Sequence, residues 1–158
     1  MNDLNLLLKT LLESKLEFLV VGGFAAVVHG SSYVTKDLDI TMLMSADNVE
    51  KLRNALKKFD PKHRMNPSFK PSFLEEPKSI DGLNNIYLET TAGILDIVTL
   101  NKSLGSFEDL KSRALTVELF GYDCLVLSLD DLINIKESMN RTKDKIVLEE
   151  LKQIKQNS

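Results

Sequence analysis

Sulfhydryl chemistry is nearly absent from this chain: Cys124 is its one cysteine. A single cysteine cannot close an internal disulfide, and one set beside the apolar run 125–127 reads as a core thiol in a reducing cytoplasm. Long apolar runs are missing too. None approaches the roughly 20 residues that a membrane span needs. Residues 1–15, MNDLNLLLKTLLESK, mix acids and lysines on a helical period instead of showing the charged-then-apolar layout of a signal peptide. A cytoplasmic chain with no membrane role is expected. There is no excess of positive charge. A net charge of −3 and a pI near 5.4 argue against a protein that coats polyanions, while leaving room for a local basic groove. Prolines are few, and all four (Pro61, Pro67, Pro71 and Pro77) fall in one stretch.

What is present is ordinary globular material. The 158 residues are 43% hydrophobic and 27% charged, enough for one domain with a core and too short for two. Leu4, Leu7, Leu8, Leu11 and Leu12 recur at the spacing of one helix face. A buried strand over 16–21, a short apolar helix over 24–29 and a second strand over 38–44 are predicted next. Ser45 opens an amphipathic helix carrying Val49, Leu52, Leu56 and Phe59. Residues 60–85 hold the prolines and no regular period, so they read as a loop excursion. Strands over 86–90 and 93–100 follow, then a hairpin in which 117–120 and 125–127 flank Gly121-Tyr122-Asp123. Ser128 or Asp130 opens a helix through Leu132, Ile133, Ile135 and Lys136, and Asn140 caps a last helix through Leu151 and Ile154. The whole is a single α+β domain over 1–158, a mixed sheet flanked by helices, with C-terminal helices over 128–156.

Three acids stand out on this frame. Residues two apart on a strand share a face, so Asp37 and Asp39 present two carboxylates side by side while Leu38 and Ile40 point into a core. Carboxylates that close repel unless a cation lies between them. Asp96 lies within the apolar strand GILDIVTL, where an unpaired buried carboxylate would be costly. If the strands are neighbours, the three acids converge. Such oxygen donors suit Mg²⁺ or Mn²⁺, with substrate phosphates completing the octahedron. Gly22-Gly23, between the first strand and the short helix, lets backbone N–H groups approach an anion.

Each feature has a plainer explanation as well. Asp37 and Asp39 beside Lys36 would suit a solvated strand start, and a glycine pair often only ends a strand. His29 fits a helix end, bonding backbone carbonyls. Thr35 would hydrogen-bond the local backbone and set the angle of Asp37. Arg141 and Asp144 match an i,i+3 surface pair. Lys57, Lys58, Lys62, Arg64, Lys70 and Lys78 outnumber Asp60, Glu75 and Glu76 around the proline-rich stretch, which suits either a basic lip for an acceptor or a soluble, flexible loop.

The order of these motifs resembles the minimal nucleotidyltransferases of the DNA polymerase beta superfamily, and most nearly their abortive-infection type IV toxin-like branch. The likeness runs through Gly22-Gly23, His29-Gly30, Thr35-Lys36-Asp37-Leu38-Asp39-Ile40, with thirteen residues between Gly23 and Asp37, the later LDIV, and S-x-D-D-L-I-x-x-K-x-x-x-x-R-x-K-D ending at Asp144. The resemblance implies a nucleotidyltransferase fold and transfer of a nucleoside monophosphate from an NTP to a hydroxyl of an acceptor, RNA (tRNA included) or protein. It implies Asp37, Asp39 and Asp96 as the catalytic and metal-holding acids with Mg²⁺ or Mn²⁺. Gly22, Gly23, Thr35, Lys36, Lys136 and Arg141 would contact the nucleotide. It also implies a toxin–antitoxin setting with an antitoxin or partner subunit. Tyr33 stands where relatives often carry Arg, and Gly23 where many carry Ser. The alternative is a catalytically silent nucleotide-binding or interaction module on the same scaffold.

Overall fold

Alternation along β2 (Asp37–Thr41) organises the molecule: Leu38 and Ile40 are fully buried, while Asp37 and Asp39 between them stay half-buried on the other side. The computed structural model describes residues 3–139 and 141–158. Seven strands among these residues form one mixed sheet: β1 (Leu19–Val21), β2, β3 (Lys62–His63), β4 (Ile86–Thr90), β5 (Gly93–Ile97), β6 (Leu115–Leu119) and β7 (Tyr122–Val126). Their order is β3-β4-β5-β2-β1-β7-β6. The β2–β5 and β1–β7 pairs are parallel and the other pairs antiparallel.

Among the described residues six helices accompany the sheet: α1 (Leu4–Glu13), α2 (Gly22–Val28), α3 (Ala46–Leu56), α4 (Phe107–Arg113), α5 (Leu129–Glu137) and α6 (Thr142–Gln156). Helix α1 packs on α3, β2 and β7, α2 on β1, β2 and α5, and α5 on α6. Leu7, Leu8 and Leu11 of α1 join Leu52 and Leu56 of α3 and Leu38 and Ile40 of β2 in one buried core. Local chemistry starts α3 and α5 where expected. Ser45 accepts from the Asn48 N–H at 3.1 Å, and Ser128 from that of Asp131 at 3.1 Å. Asn140 lies outside the described residues; Arg141 occupies the N-cap position of α6 with no side-chain cap bond.

Several boundaries shift. Strand β1 spans only Leu19–Val21, starting three residues later than expected, and α2 begins at Gly22, two residues earlier than expected. The hairpin turn is Phe120-Gly121, with φ of 55° and 81°, so Tyr122 and Asp123 belong to β7. Helix α4 has no place in the order read from the sequence. It has two turns and a single buried residue, Leu110, so no period announces it; its signal is the capping box of Ser106 and Asp109.

The 60–85 stretch is anchored. It includes β3, which pairs with β4, and Phe73, which is fully buried. Arg53 of α3 donates to the carbonyls of Phe73 and Pro77, both at 2.7 Å, and lies 5.0 Å from the Phe73 ring centroid. Cys124 is buried, and burial pushes its thiol up to about 11. Among the described residues no helix is long and apolar enough to cross a membrane.

Candidate functional site

The three acids meet at the centre of the sheet. Parallel pairing of β2 with β5 sets Asp39 opposite Asp96 in register, and Asp37 lies two residues along on the same face as Asp39. Adjacent strands are about 4.8 Å apart, so the charges act strongly on one another. Asp39 shows it: burial, then Asp96, then Asp37 raise its pKa from 3.8 to about 6, against the opposing pull of Lys136 and Arg64.

Gly22 makes room for this arrangement. Its φ of +68° is a left-handed conformation, and a Cβ there would run into Asp39 Oδ2 and stand 2.9 Å from Asp39 Cβ. Gly23 is tighter than usual but not forbidden: a Cβ would lie 3.0 Å from Tyr33 Cε1 and 3.1 Å from Thr35 Oγ1. The pair opens α2, whose first turn has no side-chain cap. Thr35 Oγ1 donates to the Asp37 carbonyl at 2.8 Å, fixing the entry to β2. His29 ends α2 with Nε2 2.8 Å from the Leu127 carbonyl, a structural tie to the end of β7.

The opposite wall comes from the last two helices. Lys136 Nζ is 3.0 Å from Asp144 Oδ1, and Arg141 Nε is 2.6 Å from Asp144 Oδ2. Asp144 is completely buried. Burial alone would raise its pKa, but the hydrogen bonds from Arg141 and Lys136 outweigh it and hold the carboxyl below its usual range. An i,i+3 surface pair does not describe this arrangement; Asp144 is a buried anchor that aims two cations. Gly22, Gly23, Lys36, Asp37, Asp39, Lys136 and Arg141 all line one cavity of about 760 Å³, large enough for a nucleotide-sized ligand.

Asp96 lies beside this cavity rather than in its wall. Both its oxygens are held by Arg64, from the proline-rich stretch: Nε to Oδ1 at 3.1 Å and Nη2 to Oδ2 at 2.6 Å. Among the described residues no group of three or more acidic, histidine or cysteine side chains is assembled to hold a metal ion. The donor chemistry does fit one Mg²⁺-like ion at Asp37 and Asp39, since such ions take one or two carboxylates and fill the remaining positions with phosphate and water. The repulsion that raises the Asp39 pKa is relieved by such a charge. The pairing of Arg64 with Asp96 is not legible in the sequence, because the two lie 32 residues apart and only sheet pairing unites them. The other cations of that stretch are mostly spoken for: Lys62 pairs with Asp60, Lys70 with Glu89 and Lys78 with Glu76.

This sheet and helix arrangement is the nucleotidyltransferase fold. A provisionally assigned nucleotidyltransferase from Thermotoga maritima superposes with a TM-score of 0.54 at 18% identity, covering 93% of this chain and 90% of that one. An antigenic nucleotidyltransferase-like protein from Paracoccidioides brasiliensis gives a TM-score of 0.53 at 12% identity, covering 96% and 71%. The sequence matches no family profile and no curated protein.

Proposed function

We propose that the chain is a metal-dependent nucleotidyltransferase that moves a nucleoside monophosphate from an NTP to an acceptor hydroxyl. One observation carries the reading: two adjacent carboxylates, a glycine pair and two cations aimed by a buried aspartate face a single cavity. Asp37 and Asp39 would hold Mg²⁺ or Mn²⁺, which when bound would neutralise phosphate charge and polarise the reacting phosphorus. Gly22 and Gly23, packed against Asp39, Tyr33 and Thr35, would bring the backbone N–H groups that open α2 to the triphosphate, with Thr35 and Lys36 beside it. Lys136 and Arg141 bring positive charge to the phosphates from the other wall. The acceptor oxygen attacks the α-phosphorus, and the bond from that phosphorus to the bridging oxygen of the β-phosphate breaks. Pyrophosphate leaves with the electron pair, and the hydroxyl proton passes to a carboxylate of the cluster and on to solvent. Asp96 is the third acid of that cluster.

The acceptor in this reading is an RNA, tRNA included, or a protein. The setting is a cytoplasmic toxin–antitoxin pair, which predicts growth arrest on expression and rescue by a partner chain. A silent nucleotide-binding module is favoured by one observation, the closure of Asp96 by Arg64. Incubation with each of four labelled NTPs, Mg²⁺ or Mn²⁺, total RNA and cell protein separates the two. The enzyme transfers label, and Asp37→Ala or Asp39→Ala abolishes transfer with an unchanged circular dichroism spectrum. Equal transfer by either variant removes the proposed site, and NTP binding without product establishes the silent module.

A further inference from the structure

The geometry points to Arg64 as a built-in counter-ion that takes the position at Asp96 where a second divalent cation would bind, leaving a one-ion site at Asp37 and Asp39. The inference rests on the metal reading above and deepens it. Arg64 is held from several sides. Its backbone N–H donates to the Tyr87 carbonyl at 3.1 Å. Its guanidinium lies 5.7 Å from the Tyr87 ring centroid. Tyr87 is in turn the register partner of Asp96 across β4 and β5, so Arg64 reaches over Tyr87 to the acid beyond. Side-chain exposure is 27% for Arg64 and 10% for Asp96. A bidentate, charge-assisted pair in that setting is strong, and breaking it strands a carboxylate with little water.

The segment carrying Arg64 is no free arm. His63 Nε2 lies 2.7 Å from the Glu76 carbonyl, and Phe73 pins the same excursion into the core. The guanidinium acts on Asp37 and Asp39 as well as on Asp96, so a fixed positive charge already serves the whole acidic cluster. A second Mg²⁺-like ion would meet that charge head-on, at a carboxylate with both oxygens engaged. Two-ion sites place their cations only about 3.5–4 Å apart, which leaves no space for ion and guanidinium together on Asp96.

Counting bound Mn²⁺ by the electron paramagnetic resonance of the free ion tests this without turnover. Wild type takes up one Mn²⁺ per chain. Arg64→Gln takes up a second, and Arg64→Gln/Asp96→Asn returns to one; Arg64→Lys, which keeps a cation, stays at one. Two ions in wild type overturn the counter-ion role and leave the metal reading standing. One ion in a folded Arg64→Gln overturns the counter-ion role too. No uptake by wild type or Arg64→Gln overturns the metal reading and this inference together.

Discussion

Gly22 and Asp39 occupy the same corner of the site, and they fit because Gly22 has no side chain. Its left-handed φ of +68° would strain any other residue, and a Cβ would overlap the Asp39 carboxylate. Gly22→Ala should therefore lower stability by about 2–4 kcal/mol and displace Asp39. Gly23→Ala, whose added atom crowds Tyr33 and Thr35 at 3.0–3.2 Å without overlapping either, should cost less, under about 1.5 kcal/mol. Urea unfolding of the two variants checks the ranking; equal losses would contradict it.

Asp39 gives the metal-free protein a signature in pH. Its folded pKa of about 6 lies above the ordinary 3.8, so between these values the folded state binds more protons than the unfolded state. Stability contributed by this group therefore falls as pH rises from about 4 to about 6 and stays low above. Asp39→Asn should be neutral near pH 4 and stabilising by about 3 kcal/mol at pH 7.5. Melting curves in chelator across that range report it, and added Mg²⁺ should narrow the gap by stabilising wild type.

Asp144 should behave in the opposite sense. With its pKa held down by Arg141 and Lys136, its contribution is present above the usual carboxylate value of 3.8 and is lost as pH falls through its lower folded value. Asp144→Asn strands Lys136, only 15% exposed, without its counter-charge and should cost about 3 kcal/mol at neutral pH. The stability difference from wild type should shrink below pH 4. In nucleotide titrations the same variant should bind NTP more weakly, because both cations lose their aim.

His29 should matter for folding alone. Removing its ring leaves the buried Leu127 carbonyl without that partner, so His29→Ala should cost about 1–3 kcal/mol. The Mn²⁺ count and the affinity for NTP should stay at wild-type values; a change in either would place His29 in the site.

Legibility in the sequence follows from range. The Asp37/Asp39 pair, the glycine pair and the Ser45 and Ser128 caps depend on neighbours a few residues away, and period-two or capping rules expose them. Helix α4 escapes because one buried leucine makes no period. The proline-rich stretch reads as a loop because its anchors, Arg53 to Phe73 and β3 to β4, are contacts across the fold.

The order of residues is enough to fix which side chains alternate in and out along β2, where α3 and α5 begin, and that an acid interrupts the apolar run of β5. That Asp39 and Asp96 are register partners, that Asp144 is buried between two cations, and that Arg64 closes on Asp96 emerges only in the folded chain. One cause underlies all of these. Periodicity and capping are written in local backbone geometry, whereas which strand lies beside which, and hence which charges face each other, depends on how the whole core packs.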